Sequence, residues 1–348
     1  LTVFVVPESA APSGGDVYDR RLAEALAARG SPVRMVQVSG SWPVPSADDR
    51  AGLARVLASL DEGTVVLLDG LVACAAPEVL TVHGRRLRLV VLVHLPLALE
   101  GGLTASEAAD RHAHEHRALR SARRVVATSD WARRHLQEQH GLAEVAAIAP
   151  GTDPAPSAPG TDGRSHLVCV ASLTPRKGHD VLFDALVRLG TEPWRLTCVG
   201  AGPGAHADDL RATVDERGWR DRVRFTGPLS GAELEGARAA ADVCVLASRA
   251  ETFGMAVTES LARGVPVVAT RTGGVSEALG RAPDGSRPGL LVPPGDPAAL
   301  SGALREWWDD PGLRRRLRRS AGLRRGTLAG WGQAAAGMAA LLDRERWL

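Results

Sequence analysis

The order of apolar and polar segments predicts an α/β protein built as two doubly wound parallel-sheet domains, and three observations carry that expectation. Short apolar runs of strand type alternate with helix-forming stretches along most of the chain. The alternation stops at residues 149–164, APGTDPAPSAPGTDGR, and then restarts. Within residues 241–270 a strand, a glycine-containing loop and a helix lead directly into a β-branched run after Gly264. A glycine that ends a helix and a strand that follows at once imply a right-handed crossover between parallel strands. With 348 residues the chain has room for two domains of ordinary size, expected at 1–153 and 154–330.

The elements follow in order. Residues 1–6 read as a buried strand, and a loop over 7–15 leads to a helix over 17–29 stopped by Gly30, with Tyr18, Leu22, Ala25 and Leu26 as its apolar stripe. Further strands are expected at 33–38, 65–68, 87–93, 124–127 and 145–148, with helical segments between most of them. Residues 149–164 are rich in proline, glycine and small polar side chains and read as an interdomain linker. Beyond it come strands at 167–171, 194–199, 223–225, 242–247 and 265–269, and helices at 180–189, 207–217, 232–240 and 255–263. The tail from 297 is helical, interrupted at 326–330 before a last helix. Two halves of similar βα texture imply two similar domains facing a cleft.

Composition narrows the classes of function. An apolar content of 45% and a charged content of 24% are those of a globular chain. A formal charge of +2 supplies no general field for nucleic acid, so any anion binding must be local. Cys74, Cys169, Cys198 and Cys244 are far apart and show neither a CxxC motif nor metal spacing, as expected of reduced core cysteines in a cytoplasmic protein. No apolar run approaches a bilayer span, and residues 1–7 are too short for a signal-peptide core. The arginines between Arg314 and Arg325 accompany Leu313, Leu317 and Ala321 at spacings of four, which makes them the wet face of an amphipathic helix, with at most peripheral membrane contact. The expectation is a soluble cytoplasmic monomer or homodimer.

Six places invite a chemical reading. Glu251 lies just past the carboxyl end of a strand, where open parallel sheets place ligands. Glu259, eight residues on, shares a helix face with Met255, Ala256 and Ala262; it either pairs with Arg263 at the surface or accepts hydrogen bonds from ligand hydroxyls. Arg176 and Lys177 stand at the mouth of a helix that begins near Gly178, where two cations and a helix N-terminus suit a diphosphate. Gly14 and Gly15, followed by Asp16 as the expected cap, form a turn that lets a backbone approach a ligand, although they are not the GxGxxG dinucleotide fingerprint. His94 ends an apolar strand and is a candidate for binding or proton transfer. His112, His114 and His116 invite a zinc reading, but only His112 and His116 share a helix face, Glu115 points elsewhere, and a closed site needs further ligands.

Read together, these pieces resemble the retaining glycosyltransferases of the GT-B fold, in particular family 4. The most specific mark is a Glu-x7-Glu motif, Glu251 to Glu259 within ETFGMAVTE. PSGGDVYD, VHLP, ATSDWARRHL, PGTD, VASLTPRKG, VGAGP, FTGPL, GVPVVATRTGG and LVPPGDP accompany it in the family's order. The resemblance implies a nucleoside-diphosphate sugar as co-substrate, UDP-linked before GDP-linked, bound mainly by the second domain, and a hydroxyl acceptor bound mainly by the first. It implies transfer with retention and no metal. His94, Glu251, Lys177 and Arg176 are the implied catalytic residues. The implied donor site comprises Gly14, Gly15, Ser172, Arg176, Lys177, Gly200, Leu229, Glu251, Thr252, Phe253, Gly254, Met255 and Glu259. Glu251 would hold the donor sugar and Glu259 the ribose, while Arg176, Lys177 and the amides near Phe253 to Met255 would neutralise the diphosphate. The last helix, 331–348, would rejoin the first domain.

One departure is plain: where the family often has Gly-Arg-Leu this chain has Ala171, Ser172 and Leu173, so a phosphate-binding arginine is missing and Arg176 is the expected substitute. Two other readings share the sequence features. A GT-B isomerase or phosphorylase would keep the phosphate site and change the second substrate; a catalytically silent sugar-nucleotide binder would have less use for Glu251, Glu259, Lys177 and His94 together.

Overall fold

The computed structural model describes residues 2–9, 13–202 and 204–347. Expectations that touch Leu1, residues 10–12, Pro203 and Leu348 lie outside the described residues. The chain forms two compact units, one of residues 1–151 with 329–348 and one of residues 152–328.

The first unit runs β1 (Thr2–Pro7), α1 (Gly14–Ala28), β2 (Val33–Val38), α2 (Ala47–Ala58), β3 (Val65–Asp69), α3 (Gly70–Ala73), α4 (Pro77–His83), β4 (Arg88–Val93), α5 (Ala105–Ser121), β5 (Arg124–Ala127), α6 (Asp130–His140) and β6 (Ala146–Ala147). Its six strands are all parallel in the order β2-β1-β3-β4-β5-β6. Strands β1, β3 and β4 are buried on both faces, which is why they read as unbroken apolar runs rather than alternating ones. The second unit runs β7 (His166–Val170), α7 (His179–Val187), β8 (Arg195–Val199), α8 (Ala205–Glu216), β9 (Val223–Gly227), α9 (Gly231–Ala239), β10 (Val243–Leu246), α10 (Met255–Leu261), β11 (Val267–Thr270), α11 (Val275–Leu279), β12 (Gly289–Val292), α12 (Pro297–Asp309) and α13 (Pro311–Arg325). Its sheet is also six-stranded and parallel, ordered β12-β11-β10-β7-β8-β9. Both sheets are thus doubly wound, with the order reversing beside the first strand of each unit.

The final helix, α14 (Trp331–Trp347), packs on α1 in the first unit. Trp331 meets the Tyr18 ring edge-on at 5.5 Å, and the buried Glu345 carboxylate forms ion pairs with Arg124 at 2.9 Å and with Arg123. All four cysteines are free and buried in the cores.

Three expectations need correction. Helix α1 starts at Gly14, not Val17: Ser13 caps it, and Asp16 is the third helical residue that returns the bond in a capping box, so Gly14 and Gly15 belong to the first turn. Residues 152–165 hold no helix or strand, yet they are bound along the second unit rather than spanning freely. The fully buried Asp242 carboxylate accepts from the N–H groups of Thr161, Gly163 and His166 and from Arg318, and Ala158 N–H donates to the Arg263 carbonyl at 2.9 Å. A pattern of Pro, Gly and Ser signals irregular backbone, but an acid supplied by a distant strand can still satisfy that backbone. The arginines of α13 are likewise only partly a wet face, since Arg314 donates to the Trp307 and Trp308 carbonyls and Arg325 to Ser157 and the Ala155 carbonyl.

Candidate active site

In the second unit, the carboxyl end of β10 opens into the loop 247–254, and this loop is locked to the turn of residues 175–178 that follows β7. Arg249 N–H donates to the Arg176 carbonyl at 2.7 Å, and its guanidinium bridges the Pro175 carbonyl and the Asp180 carboxylate at 2.6 to 2.8 Å. Gly178 makes the approach possible: it takes φ +65°, and a Cβ there would stand 2.2 Å from the Ala247 carbonyl oxygen. The turn and the loop are therefore one rigid piece.

That piece brings Glu251, Lys177 and Arg176 together. The buried Glu251 carboxylate accepts from Lys177 Nζ at 2.5 Å and Ser248 Oγ at 2.8 Å, with Arg176 Nη1 at 3.9 Å. Arg176 also donates to the Ala250 carbonyl at 3.2 Å. Burial pushes the Glu251 carboxyl up, but the charges of Lys177 and Arg176 outweigh it and hold the acid below its ordinary range. Two cations meet at one carboxylate in a largely buried place, an arrangement of donors that suits an anion. Sequence reasoning overlooked one signal here: Lys177 is the only lysine among 42 basic residues.

Close backbone contacts surround the cluster. A Cβ on Gly200 would lie 2.1 Å from the Ala171 carbonyl, so the chain beside Ser172 passes flush against the end of β8. Gly254 sits at φ +95° before α10, and Gly274 has room for no side chain against the Thr252 carbonyl. Thr252 is buried, Met255 is half-buried, and Phe253 and Leu229 lie partly buried against the core.

Glu259 does not form the surface pair with Arg263 that the spacing allowed. Its carboxylate accepts from Arg238 of α9, not from Arg263, whose guanidinium pairs with Glu235 at 2.5 Å and donates to the Glu259 carbonyl oxygen. The i,i+4 pairing is lost because Glu235 and Arg238, one turn apart on α9, draw both residues into a four-member network. Arg238 is 21 positions away in sequence, and no local spacing pointed to it.

The first unit holds a second cluster. His94, past the end of β4, hydrogen-bonds through Nε2 to Asp19 Oδ1 at 2.7 Å and has Asp69 Oδ2 at 3.7 Å. Tyr18 meets the imidazole edge-on at 5.0 Å, and a Cβ on Gly15 would approach the ring at 3.2 Å, so Gly15 lets α1 close on His94. Gly14 has open space where a side chain would be. Burial disfavours the imidazolium, yet the charge and hydrogen bond of Asp19, with Asp69 and Asp16 behind it, raise His94 to about 9. Burial, then the Asp19 charge, push Asp69 up to about 8 against the pull of His94.

Both acids were missed, though signals existed: Asp69 ends an apolar strand as His94 does, and Asp19 falls three residues before Leu22 on the buried stripe of α1. Among the described residues these three are the one group whose ligating atoms lie within 4.8 Å of one another. The 2.7 Å contact is a hydrogen bond, however, and it uses the imidazole nitrogen that a metal would need. His112 and His116 pack their rings about His140, whose Nε2 contacts the buried Glu115 carboxylate at 2.9 Å, an arrangement that serves packing.

Comparison with known proteins agrees with this layout. Residues 164–310, which contain the whole second-unit cluster, match the family model described as Glycosyl transferases group 1. The D-inositol 3-phosphate glycosyltransferase of Kineococcus radiotolerans is 35% identical over 259 residues, covering 66% of this chain and 59% of that protein. The enzyme of the same name from Jonesia denitrificans is 31% identical over 67% of this chain and 59% of its own length. The match thus spans about three fifths of these relatives. Among solved structures, sucrose-phosphate synthase from Thermosynechococcus elongatus aligns over 99% of both chains with a TM-score of 0.81 at 22% identity. HepE from Anabaena, in complex with UDP and glucose, aligns over 99% of both chains at a TM-score of 0.76 and 19% identity. With its fold shared from end to end with glycosyltransferases of known structure, the chain has the GT-B fold, and its site-bearing stretch, residues 164–310, is similar to the group 1 glycosyl transferases.

Proposed function

We propose that the protein is a retaining, metal-independent hexosyltransferase that moves a sugar from a nucleoside diphosphate to a hydroxyl acceptor. The observation that carries this reading is the pairing of Glu251 with Lys177 and Arg176 on one rigid turn and loop. As the glycosidic bond to the diphosphate breaks, negative charge grows on the leaving phosphate. Fixed cations meet that charge without reorganising, and the amides of residues 253–255 extend the same cradle. Glu251 then has two tasks: it holds the Lys177 ammonium in place and offers its remaining acceptor capacity to sugar hydroxyls. Glu259 and its Arg238 partner stand eight residues on, where the ribose is expected.

UDP-linked sugars are the first donors to test, because the HepE structures contain UDP, glucose and UDP-glucose. The relatives' name makes inositol 3-phosphate one acceptor to try, beside other polyols, lipids and glycans. Incubation with UDP-, GDP-, ADP- and TDP-sugars should give nucleoside diphosphate only when an acceptor is present. NMR of the product should show the donor's anomeric configuration kept, and EDTA should leave the rate unchanged. Donor conversion without an acceptor would instead favour an isomerase, and no turnover with any pair would remove the reading.

A further inference from the structure

Glu259 is held by a closed circuit of hydrogen bonds that begins and ends on that one residue. Its carbonyl oxygen accepts from Arg263 Nη1 at 2.5 Å. The Arg263 guanidinium then grips both oxygens of Glu235, through Nη2 at 2.5 Å and Nε at 3.0 Å. Glu235 Oε1 also accepts from Arg238 Nη1 at 3.2 Å, and Arg238 Nη2 donates to Glu259 Oε2, which closes the circuit. The Arg238 and Arg263 side chains are 10% and 8% exposed, whereas that of Glu259 is 24% exposed, so the cations are buried while the acid keeps an edge in solvent. A planar guanidinium suits position 238 because its two terminal nitrogens reach two acids at once in a fixed plane. Burial raises the Glu235 carboxyl, but the hydrogen bonds and charge of Arg263, with Arg238 behind them, outweigh it and hold that acid below its ordinary range. One atom is left over: Glu259 Oε1 accepts from no donor among the described residues.

We propose that Arg238 and Glu235 are positioning residues that hold the Glu259 side chain in one rotamer, with Oε1 kept as a fixed acceptor for a hydroxyl of the bound nucleotide. This rests on the glycosyl-transfer reading above, which expects the donor's ribose at Glu259, and adds what sets the strength of that contact. A glutamate on an open helix face samples several rotamers and loses that freedom when a ligand binds; the circuit removes the cost beforehand. A carboxylate accepts and does not donate, so the ligand group must bring the hydrogen. The network therefore governs how strongly the protein prefers a ribonucleotide to its deoxy form, without Arg238 or Glu235 touching the ligand. The rival role for Arg238 is plain neutralisation of Glu259. In that case its loss would leave a carboxylate that accepts as well or better, and the preference would hold or rise. The two roles predict opposite signs.

The test is calorimetric titration of the full chain with UDP, GDP and ADP, then with the 2′-deoxy and 3′-deoxy forms of whichever binds most tightly. In the unaltered protein, loss of the hydroxyl that Glu259 accepts should raise Kd about tenfold or more. Arg238→Ala should weaken the ribonucleotide and leave the deoxy form nearly as before, so that the ratio of the two shrinks about threefold or more. Glu259→Ala should bring the ratio close to one, and adding Arg238→Ala to it should change the ratio no further. A merely structural role would weaken both nucleotides alike. The proposal is overturned if the ratio holds or rises in Arg238→Ala, or if the unaltered protein binds the ribo and deoxy forms equally. Should Arg238→Ala fail to fold, Arg238→Lys and Glu235→Gln should each shrink the ratio, and an unchanged ratio in both overturns the proposal. A protein that binds no nucleoside diphosphate removes the glycosyl-transfer reading and this inference with it, whereas a ribonucleotide preference that survives Arg238→Ala removes this inference alone.

Discussion

At the scale of single residues, the identity of Lys177 carries information beyond its charge. The other 41 basic residues are arginine, so composition alone would place a guanidinium at position 177 as well. A compact ammonium fits the 2.5 Å contact with Glu251 beside Arg176, whereas a planar fork needs room the turn lacks with Gly178 pressed on Ala247. Lys177→Arg should therefore reduce kcat/KM for a nucleotide sugar by about tenfold or more, a loss of ~1.4 kcal/mol in transition-state binding. Unchanged kinetics would show that charge alone suffices. Glu251 has a stability consequence too. Its folded pKa lies below the ordinary 4.5, so its contribution is present above that pH and is lost as pH falls through the folded value. Urea midpoints should drop in acid below about pH 4.5, and Glu251→Gln should flatten that drop while lowering stability near neutral pH, by about 3 kcal/mol if the stranded cations behave as a broken buried pair.

Among elements, the turn at 175–178 and the loop at 247–254 matter as a pair, since neither holds its side chains alone. Gly178→Ala meets both a backbone oxygen at 2.2 Å and a positive φ, so it should cost about 1–3 kcal/mol or more and loosen the site. Denaturant unfolding reads the first effect and donor affinity the second; an Ala variant of native stability would mean the turn can shift away from Ala247. The parallel strands and the Glu251–Lys177 neighbourhood were legible in sequence because each rests on local rules: apolar runs, glycine punctuation, and the carboxyl ends of strands. Glu259's partner, the partners of His94 and the bound path of residues 152–165 were not, because each depends on a side chain from a distant element. Arg238, Asp19 and Asp242 all act across a contact that no periodicity encodes. Helix α1 shows the intermediate case, where Ser13 and Asp16 spelled a capping box that the glycines between them obscured.

For the whole molecule, the two units have separate apolar cores, and the chain's last helix packs on the first unit through α1. Strands β1 and β3 to β5 share one core with Leu53, Leu57 and Leu136, while β7, β8, β10 and β11 share another with Phe183, Trp194 and Trp307. Helix α14 lies about 180 residues from the rest of its own unit in sequence, so closing its contacts carries an entropic cost, one that grows only slowly with loop length. Trp331, buried against Tyr18, secures that return, and Tyr18 in turn donates to the Ile148 carbonyl at 2.9 Å beyond β6. Trp331→Ala should remove about 3–5 kcal/mol from the first unit. Native-state hydrogen exchange should then speed up in residues 3–6 and 66–68, because their slowest exchange passes through the opening of that core. Residues 167–169 and 243–246 should keep their protection if the second core opens by itself. Equal acceleration in both sets would mean that the two cores open as one cooperative unit, and the division into separately stabilised halves would have to be abandoned.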